Sequence, residues 1–116
     1  MTSFAEKSCT RRKQAERELR HALRAEAGRL VKLLRSEGFV VRRVYLWGSA
    51  VSDKPLSPWS DIDLVVEGLA PDLFFKAYAV LLRNADYPVD LKPLEEMDAQ
   101  VQDRVRREGR VIYDQR

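Results

Sequence analysis

Two aspartates, Asp61 and Asp63, stand in the otherwise apolar segment 60–66, which reads Ser-Asp-Ile-Asp-Leu-Val-Val. Side chains alternate across a β-strand, so a strand here would project both carboxylates from one face. Carboxylates held that close repel each other, and Mg²⁺ is commonly bound by one or two carboxylates together with substrate phosphates. Taken alone, the pattern also fits a structural interpretation, in which Asp61 caps a turn and Asp63 faces water near a strand end.

A glycine-serine pair, Gly48 and Ser49, directly follows the β-rich run 40–47. Glycine lets the backbone approach a phosphate closely, and the serine hydroxyl with neighbouring N–H groups at a helix start can donate to phosphate oxygens. Gly-Ser is also an ordinary turn dipeptide. The segment 50–60 is long enough to return the chain to an adjacent strand, so the pair can form a phosphate cradle beside the two aspartates.

A third carboxylate, Asp90, lies in the segment 87–91, which reads Tyr-Pro-Val-Asp-Leu. If Val89 and Leu91 pack inward, Asp90 projects from the opposite face. There it would serve a second metal ion or activate an attacking hydroxyl in phosphoryl-type transfer. The structural alternative is a solvated residue on an edge strand.

These motifs resemble those of the minimal nucleotidyltransferases of the DNA polymerase β superfamily, which include MntA-like antitoxins. The resemblance rests on Trp-Gly-Ser at 47–49, the segment 60–66, Val-Asp-Leu at 89–91 and the ending Arg-Glu-Gly-Arg-Val-Ile-Tyr at 107–113. It covers about residues 40 to 114. The order of the Gly-Ser pair and the paired aspartates is its most specific part.

The resemblance implies a Mg²⁺-dependent transfer of a nucleoside monophosphate, AMP from ATP, to an acceptor. It places Mg²⁺ on Asp61, Asp63 and Asp90, which become the catalytic and metal-binding residues, and the nucleotide phosphates against Gly48 and Ser49. It also implies a protein partner, because small proteins of this kind pair with a HEPN-domain toxin, a ribonuclease encoded nearby, and transfer AMP to one of its tyrosines.

One segment departs from the family pattern. Family members carry a basic residue and a second glycine soon after the Gly-Ser pair, whereas residues 50–53 here are Ala-Val-Ser-Asp. Lys54 could replace the missing cation. This departure motivates a second hypothesis, a catalytically weak or inactive binding module that neutralises its partner by contact.

The elements that must position these residues follow from hydrophobic periodicity and turn signals. The predicted helices cover 5–36, 71–83 and 94–108, and the predicted strands cover 40–47, 61–67, 87–91 and 110–113. This order predicts an α/β (α+β) domain with the nucleotidyltransferase fold, a small mixed sheet with flanking helices, and a long N-terminal helix. We expect a single domain over 1–116, with a basic amphipathic helix over 1–38 and a catalytic core over 39–116.

Length and charge limit the function classes. With 116 residues the chain can bury one modest core, which leaves no room for a separate acceptor-binding domain. Residues 1–43 carry 12 basic and 5 acidic side chains, against 9 basic and 13 acidic in residues 44–116. Without a signal peptide or an apolar run long enough for a membrane span, and with a single cysteine, the chain is predicted to be cytoplasmic.

The charge excess lies in the first predicted helix, where four basic side chains share one side. They are Lys13, Arg17, Arg20 and Arg24. Glutamates interrupt them and no aromatic side chain is interleaved, so nucleic-acid binding is the weakest interpretation. A solvated face or a docking surface for an acidic partner is favoured. Trp47 is predicted to be in the core and Trp59 to be exposed in a loop.

Overall fold

The computed structural model describes residues 3–116; residues 1 and 2, part of the predicted helical segment 1–38, lie outside it. Helix α1 spans Phe4–Ser36 and begins with a capping box: the Glu6 N–H donates to the Ser3 hydroxyl, and the Ser3 N–H donates to the Glu6 carboxylate. Residues 5–15 are exposed. Farther along, the helical period buries one stripe: Leu23, Ala27, Leu30 and Leu34.

Four strands form one mixed sheet in the order β3-β2-β1-β4. Their bounds are Arg43–Trp47 for β1, Ile62–Glu67 for β2, Val89–Pro93 for β3 and Arg110–Asp114 for β4. The β1 strand runs antiparallel to both β2 and β4, whereas β2 and β3 are parallel. Helix α2 spans Phe74–Asn84 and helix α3 spans Ala99–Glu108. The predicted fold class, a small mixed sheet with flanking helices, is confirmed.

The two faces of the sheet pack differently. One face joins the large core with α1 and α2, and its buried members include Val44, Leu46, Ile62, Leu64, Val66 and Leu91. On the other face, Tyr45 and Val65 form a small core with Leu94 and with Val105 of α3. Because side chains alternate along β2, Asp63 shares the face of Val65 and lies outside the large core.

Several boundaries differ from prediction. The first strand starts at Arg43 instead of residue 40, and the second helix starts at Phe74, after a 3₁₀ turn over Pro71–Leu73, instead of residue 71. The helix predicted over 94–108 is wrong over residues 94–98. A separate 3₁₀ turn spans Leu94–Glu96, and α3 starts only after Asp98. The Asp98 side chain caps α3 by accepting the Val101 N–H at 2.9 Å. The third strand starts two residues later than predicted, at Val89, because Pro88 has no N–H to donate to a ladder. The Pro88 carbonyl instead accepts the Ile62 N–H at 2.8 Å.

Within residues 3–116, no helix is both long enough and apolar enough to cross a membrane.

Candidate functional site

The glycine-serine pair lies at the end of β1, where the chain turns away from the sheet. Gly48, Ser49 and Ala50 form a 3₁₀ turn, and the N–H groups of Val51 and Ser52 both donate to the Gly48 carbonyl at 3.1 Å. Gly48 has φ +78°, in the region that favours glycine. The helical turn predicted here is therefore present, and it starts at the glycine itself. We call residues 48–55 the Gly-Ser loop.

Gly48 touches the first aspartate of the sheet. A Cβ atom built on Gly48 would lie 2.3 Å from Asp63 Oδ2, closer than any real contact. Trp47 and Asp63 are register partners across β1 and β2, which brings the end of β1 against this carboxylate. The positive φ favours glycine at position 48, and a larger residue there would displace the Asp63 carboxylate.

Asp63 and Asp90 lie side by side in the sheet, as register partners on the parallel strands β2 and β3. Asp61 stands just before β2 and is exposed, so the strand predicted to begin at Asp61 begins one residue later, at Ile62. The structure thus brings together Gly48, Asp63 and Asp90, with Asp61 two residues along the chain from Asp63.

Electrostatics at this cluster disfavour ionised Asp63. Burial raises its pKa first, the charges of Asp90 and Asp61 raise it further, and only Lys92 lowers it. Negative charge that is partly desolvated and repelled by its neighbours favours a cation. Lys92 supplies part of the positive charge that the carboxylates favour, since its Nζ lies 3.1 Å from Asp90 Oδ2.

Tyr78 of α2 reaches the same strand end. Its hydroxyl lies 3.1 Å from the Val89 carbonyl and 3.4 Å from Asp90 Oδ1. Burial raises the pKa of Tyr78, and the neighbouring charges of Asp90 and Asp61 contribute in the same direction, so the hydroxyl keeps its proton and remains a donor. The sequence analysis missed both Tyr78 and Lys92. Lys92, two positions after Asp90, could have been found from strand alternation, whereas Tyr78 fits the apolar face of a helix.

The donor set suits a hard cation. Asp63 and Asp90 offer carboxylate oxygens on adjacent strands, and Mg²⁺ takes one or two carboxylates and completes its shell with water and phosphate oxygens. In the part of the chain that the structure describes, no three His, Cys, Asp or Glu side chains converge into a complete metal site. A nucleotide would therefore have to contribute ligands beside these carboxylates.

A cavity of about 510 Å³ opens on the other flank of Gly48 and Ser49. Its lining includes two cations, Lys54 from the Gly-Ser loop and Arg104 from α3. The Arg104 guanidinium lies 5.8 Å from the centre of the Trp47 ring. Trp47, which was predicted to be in the core, is half-buried and forms part of the cavity wall. The three aspartates do not line this cavity; Gly48 is the residue common to both.

The basic side of α1 differs from the surface expected from the sequence. Arg24 Nε donates to the Ala50 carbonyl at 2.9 Å, and Arg20 Nη2 donates to the Lys54 carbonyl at 2.7 Å. The prediction of a wholly solvated or docking face is wrong for these two residues, because the helix packs beside the Gly-Ser loop. Lys13 and Arg17 are exposed as expected, and so is Trp59, at 83%.

Residues 29–116 match the family model described as polymerase beta, nucleotidyltransferase. Among solved structures the chain is similar to a toxin-antitoxin crystallised with AMP-PNP, with 24% identity, a TM-score of 0.62, and coverage of 78% of this chain and 74% of that one. It is also similar to a mutant of the toxin-antitoxin MntA-HpeT, with 22% identity, a TM-score of 0.61, and coverage of 76% and 73%. None of the curated proteins matches.

Proposed function

The chain belongs to the polymerase beta nucleotidyltransferase family, and we propose that it is a Mg²⁺-dependent transferase that moves AMP from ATP to a partner protein. In this proposal the chain is the antitoxin of a toxin-antitoxin pair. The cytoplasm supplies both ATP and Mg²⁺ and is the compartment that we assign.

One observation carries the proposal: two carboxylates on adjacent strands lie beside a glycine whose positive φ disfavours any other residue. Asp63 and Asp90 are register partners, and Gly48 packs against Asp63. Both carboxylates are half-buried and repel each other, and burial together with the charge of Asp90 opposes the ionised form of Asp63, so a further cation is favoured there. The arrangement therefore favours metal-assisted chemistry on a phosphate over a structural role for the aspartates.

The nucleotide is assigned to the Gly-Ser loop. Gly48 lets the backbone approach the phosphates, the Ser49 hydroxyl donates to a phosphate oxygen, and the cavity next to them offers Lys54 and Arg104 as cations. Lys54 and Arg104 stand in for the basic residue that family members carry directly after the Gly-Ser pair. These residues would hold the triphosphate, and Gly48, which lies between the cavity and Asp63, would bring it next to the carboxylates.

Transfer forms a bond between an acceptor hydroxyl oxygen and the α-phosphorus and breaks the bond from that phosphorus to the bridging oxygen, so pyrophosphate leaves. Asp63 and Asp90, with Asp61 from just before β2 and oxygens of the nucleotide, would hold Mg²⁺, which would neutralise phosphate charge and lower the pKa of the hydroxyl. We assign Asp90 to the acceptor side, because it lies on the edge strand β3 and is open to an incoming chain. Its carboxylate accepts the hydroxyl proton.

The acceptor is assigned to a partner chain, a HEPN-domain toxin encoded nearby. The support is the family resemblance together with the toxin-antitoxin structures to which this fold is similar.

The test is label transfer. The protein is incubated with the product of the adjacent gene, Mg²⁺ and ATP labelled either on the α- or on the γ-phosphate. We expect label on the partner from α-labelled ATP only, and its loss in Asp63→Asn. Asp72→Asn is the matched control, because Asp72 is exposed in the turn before α2. No adduct with the unaltered protein would overturn the proposal.

The second candidate is a binding module that neutralises its partner by contact. It is favoured by the segment 50–53, which departs from the family pattern, and by the ion pair that Asp90 already makes with Lys92. The double change Asp61→Asn with Asp63→Asn separates the two candidates. Neutralisation of the partner survives this change if contact suffices, and it is lost if transfer is required.

A further inference from the structure

Two arginines of α1 hold the backbone of the Gly-Ser loop at two points. Arg24 donates to the Ala50 carbonyl and Arg20 donates to the Lys54 carbonyl, at 2.9 and 2.7 Å. Residues four apart lie on one side of a helix, separated by about 6 Å along its axis. The two carbonyls also belong to residues four apart in the loop, and each arginine donates to one of them.

The loop needs these contacts. Its own hydrogen bonds are those of Val51 and Ser52 to the Gly48 carbonyl and a long one, 3.4 Å, from the Lys54 N–H to the Ser52 hydroxyl. Ala50 is fully buried, and a buried carbonyl without a donor is costly. Arg24 provides the donor for that carbonyl from outside the loop.

The contacts come from a segment that the family match does not include. The match begins at residue 29, inside α1, whereas Arg20 and Arg24 precede it. They are also the part of the chain that stands next to residues 50–54, where the sequence departs from the family pattern. A segment outside the family match and a loop that departs from the family pattern thus contact each other directly.

We propose that Arg20 and Arg24 are positioning residues, and that the middle of α1 clamps the Gly-Ser loop in the shape in which Gly48 and Ser49 receive phosphate. The nucleotide part of this inference rests on the proposed function. The clamp itself does not, since it concerns the backbone of the loop.

The two bonds contribute unequally. The Arg24 bond is part-buried, whereas the Arg20 bond is exposed, and the buried Nε of Arg20 finds no partner among the described residues. A hydrogen bond from a charged group gains strength when water is excluded. Arg24 therefore carries more of the clamp than Arg20.

Amide hydrogen exchange at Val51 and Ser52 tests the clamp. The variants are Arg20→Gln, Arg24→Gln and both together, with Arg12→Gln as the control, because Arg12 is exposed on the same helix. We expect about tenfold faster exchange in the double variant and a smaller effect from Arg20→Gln. The control leaves exchange unchanged, and Arg24→Lys restores part of the protection because lysine retains one donor.

The measurement separates a clamp from general stabilisation. If exchange in β2 rises together with that in the loop, the arginines stabilise the whole fold and the inference is overturned. Unchanged exchange at Val51 and Ser52 in the double variant overturns it as well.

ATP supplies the second readout. In the double variant we expect KM for ATP to rise about tenfold while kcat at saturating ATP stays within about twofold, because the loop is still able to adopt the binding shape. If the unaltered protein neither binds nor uses ATP, the proposed function fails, whereas the exchange result still decides the clamp. A normal KM together with faster exchange overturns the link to phosphate binding.

Discussion

Gly48 and Asp63 meet at the end of β1 so closely that a single methyl group on the glycine would collide with the carboxylate, 2.3 Å from Oδ2. The contact brings together the Gly-Ser pair and the paired-aspartate segment 60–66, which are separated by a loop in the sequence. It makes the position of the Gly-Ser loop depend on the position of the first sheet aspartate, so a change at either residue is felt at the other.

Gly48→Ala is expected to abolish nucleotide binding. The change adds the cost of a positive φ, about 1 kcal/mol, and forces either Asp63 or the loop to move. Gly38→Ala is the matched control, because Gly38 also has a positive φ, +92°, and a Cβ there has open space around it. Calorimetric titration with ATP and thermal unfolding would check both variants. ATP binding by Gly48→Ala equal to that of Gly38→Ala would contradict the argument.

Asp63→Asn is expected to raise Tm in the absence of divalent cations. The reason is that burial and the charges of Asp90 and Asp61 oppose an ionised Asp63, and an amide removes this repulsion. Mg²⁺ together with ATP should stabilise the unaltered protein, by about 1.4 kcal/mol when the ligand is at tenfold its Kd, and should leave the variant unchanged. Thermal unfolding with and without Mg²⁺ measures both effects. A variant that melts lower than the unaltered protein without metal would show that Asp63 has a structural role.

The sequence was sufficient for the faces of Asp63 and Asp90, because these depend on local periodicity, whereas Asp61 lies just before the strand that it was predicted to begin. The alternation in segment 60–66 predicts the face of Asp63, and the apolar neighbours of Asp90 predict its face. Each of these inferences needs only residues close together in the chain.

The sequence was insufficient where distant segments meet. Nothing in the spacing of Arg20 and Arg24 indicates that they would reach two loop carbonyls, since that depends on the angle at which α1 crosses the sheet. The single helix predicted over 94–108 fitted the apolar period through Leu94, Met97, Val101 and Val105. The cap at Asp98 overrode that period, because its carboxylate satisfies an N–H that the continuous helix would have bonded.

Arg104→Ala is expected to weaken ATP binding about tenfold with little change in Tm. Arg104 lines the cavity beside Gly48 and Ser49, and its guanidinium lies over the ring of Trp47, which holds it in place. Arg107→Ala is the control, since Arg107 lies on the same helix and pairs with Asp103 at the surface. Titration with ATP, followed by Trp fluorescence, compares the two. Equal affinities would remove Arg104 from the nucleotide site.

Glu26→Gln is expected to destabilise the fold by about 2 kcal/mol. Glu26 is buried, with 6% of its side chain exposed, and its carboxylate accepts bonds from Arg29 and from the Asp86 N–H at 2.6 Å, which ties α1 to the turn before β3. These bonds, first that from Arg29, hold the pKa of Glu26 below its ordinary value of 4.5. Its contribution is therefore complete above pH 4.5 and is lost as the pH falls toward the lowered pKa. Urea unfolding at pH 7 and near pH 3 checks this: the gap between the unaltered protein and Glu26→Gln should narrow in acid, whereas exposed Glu18→Gln shows no gap at either pH.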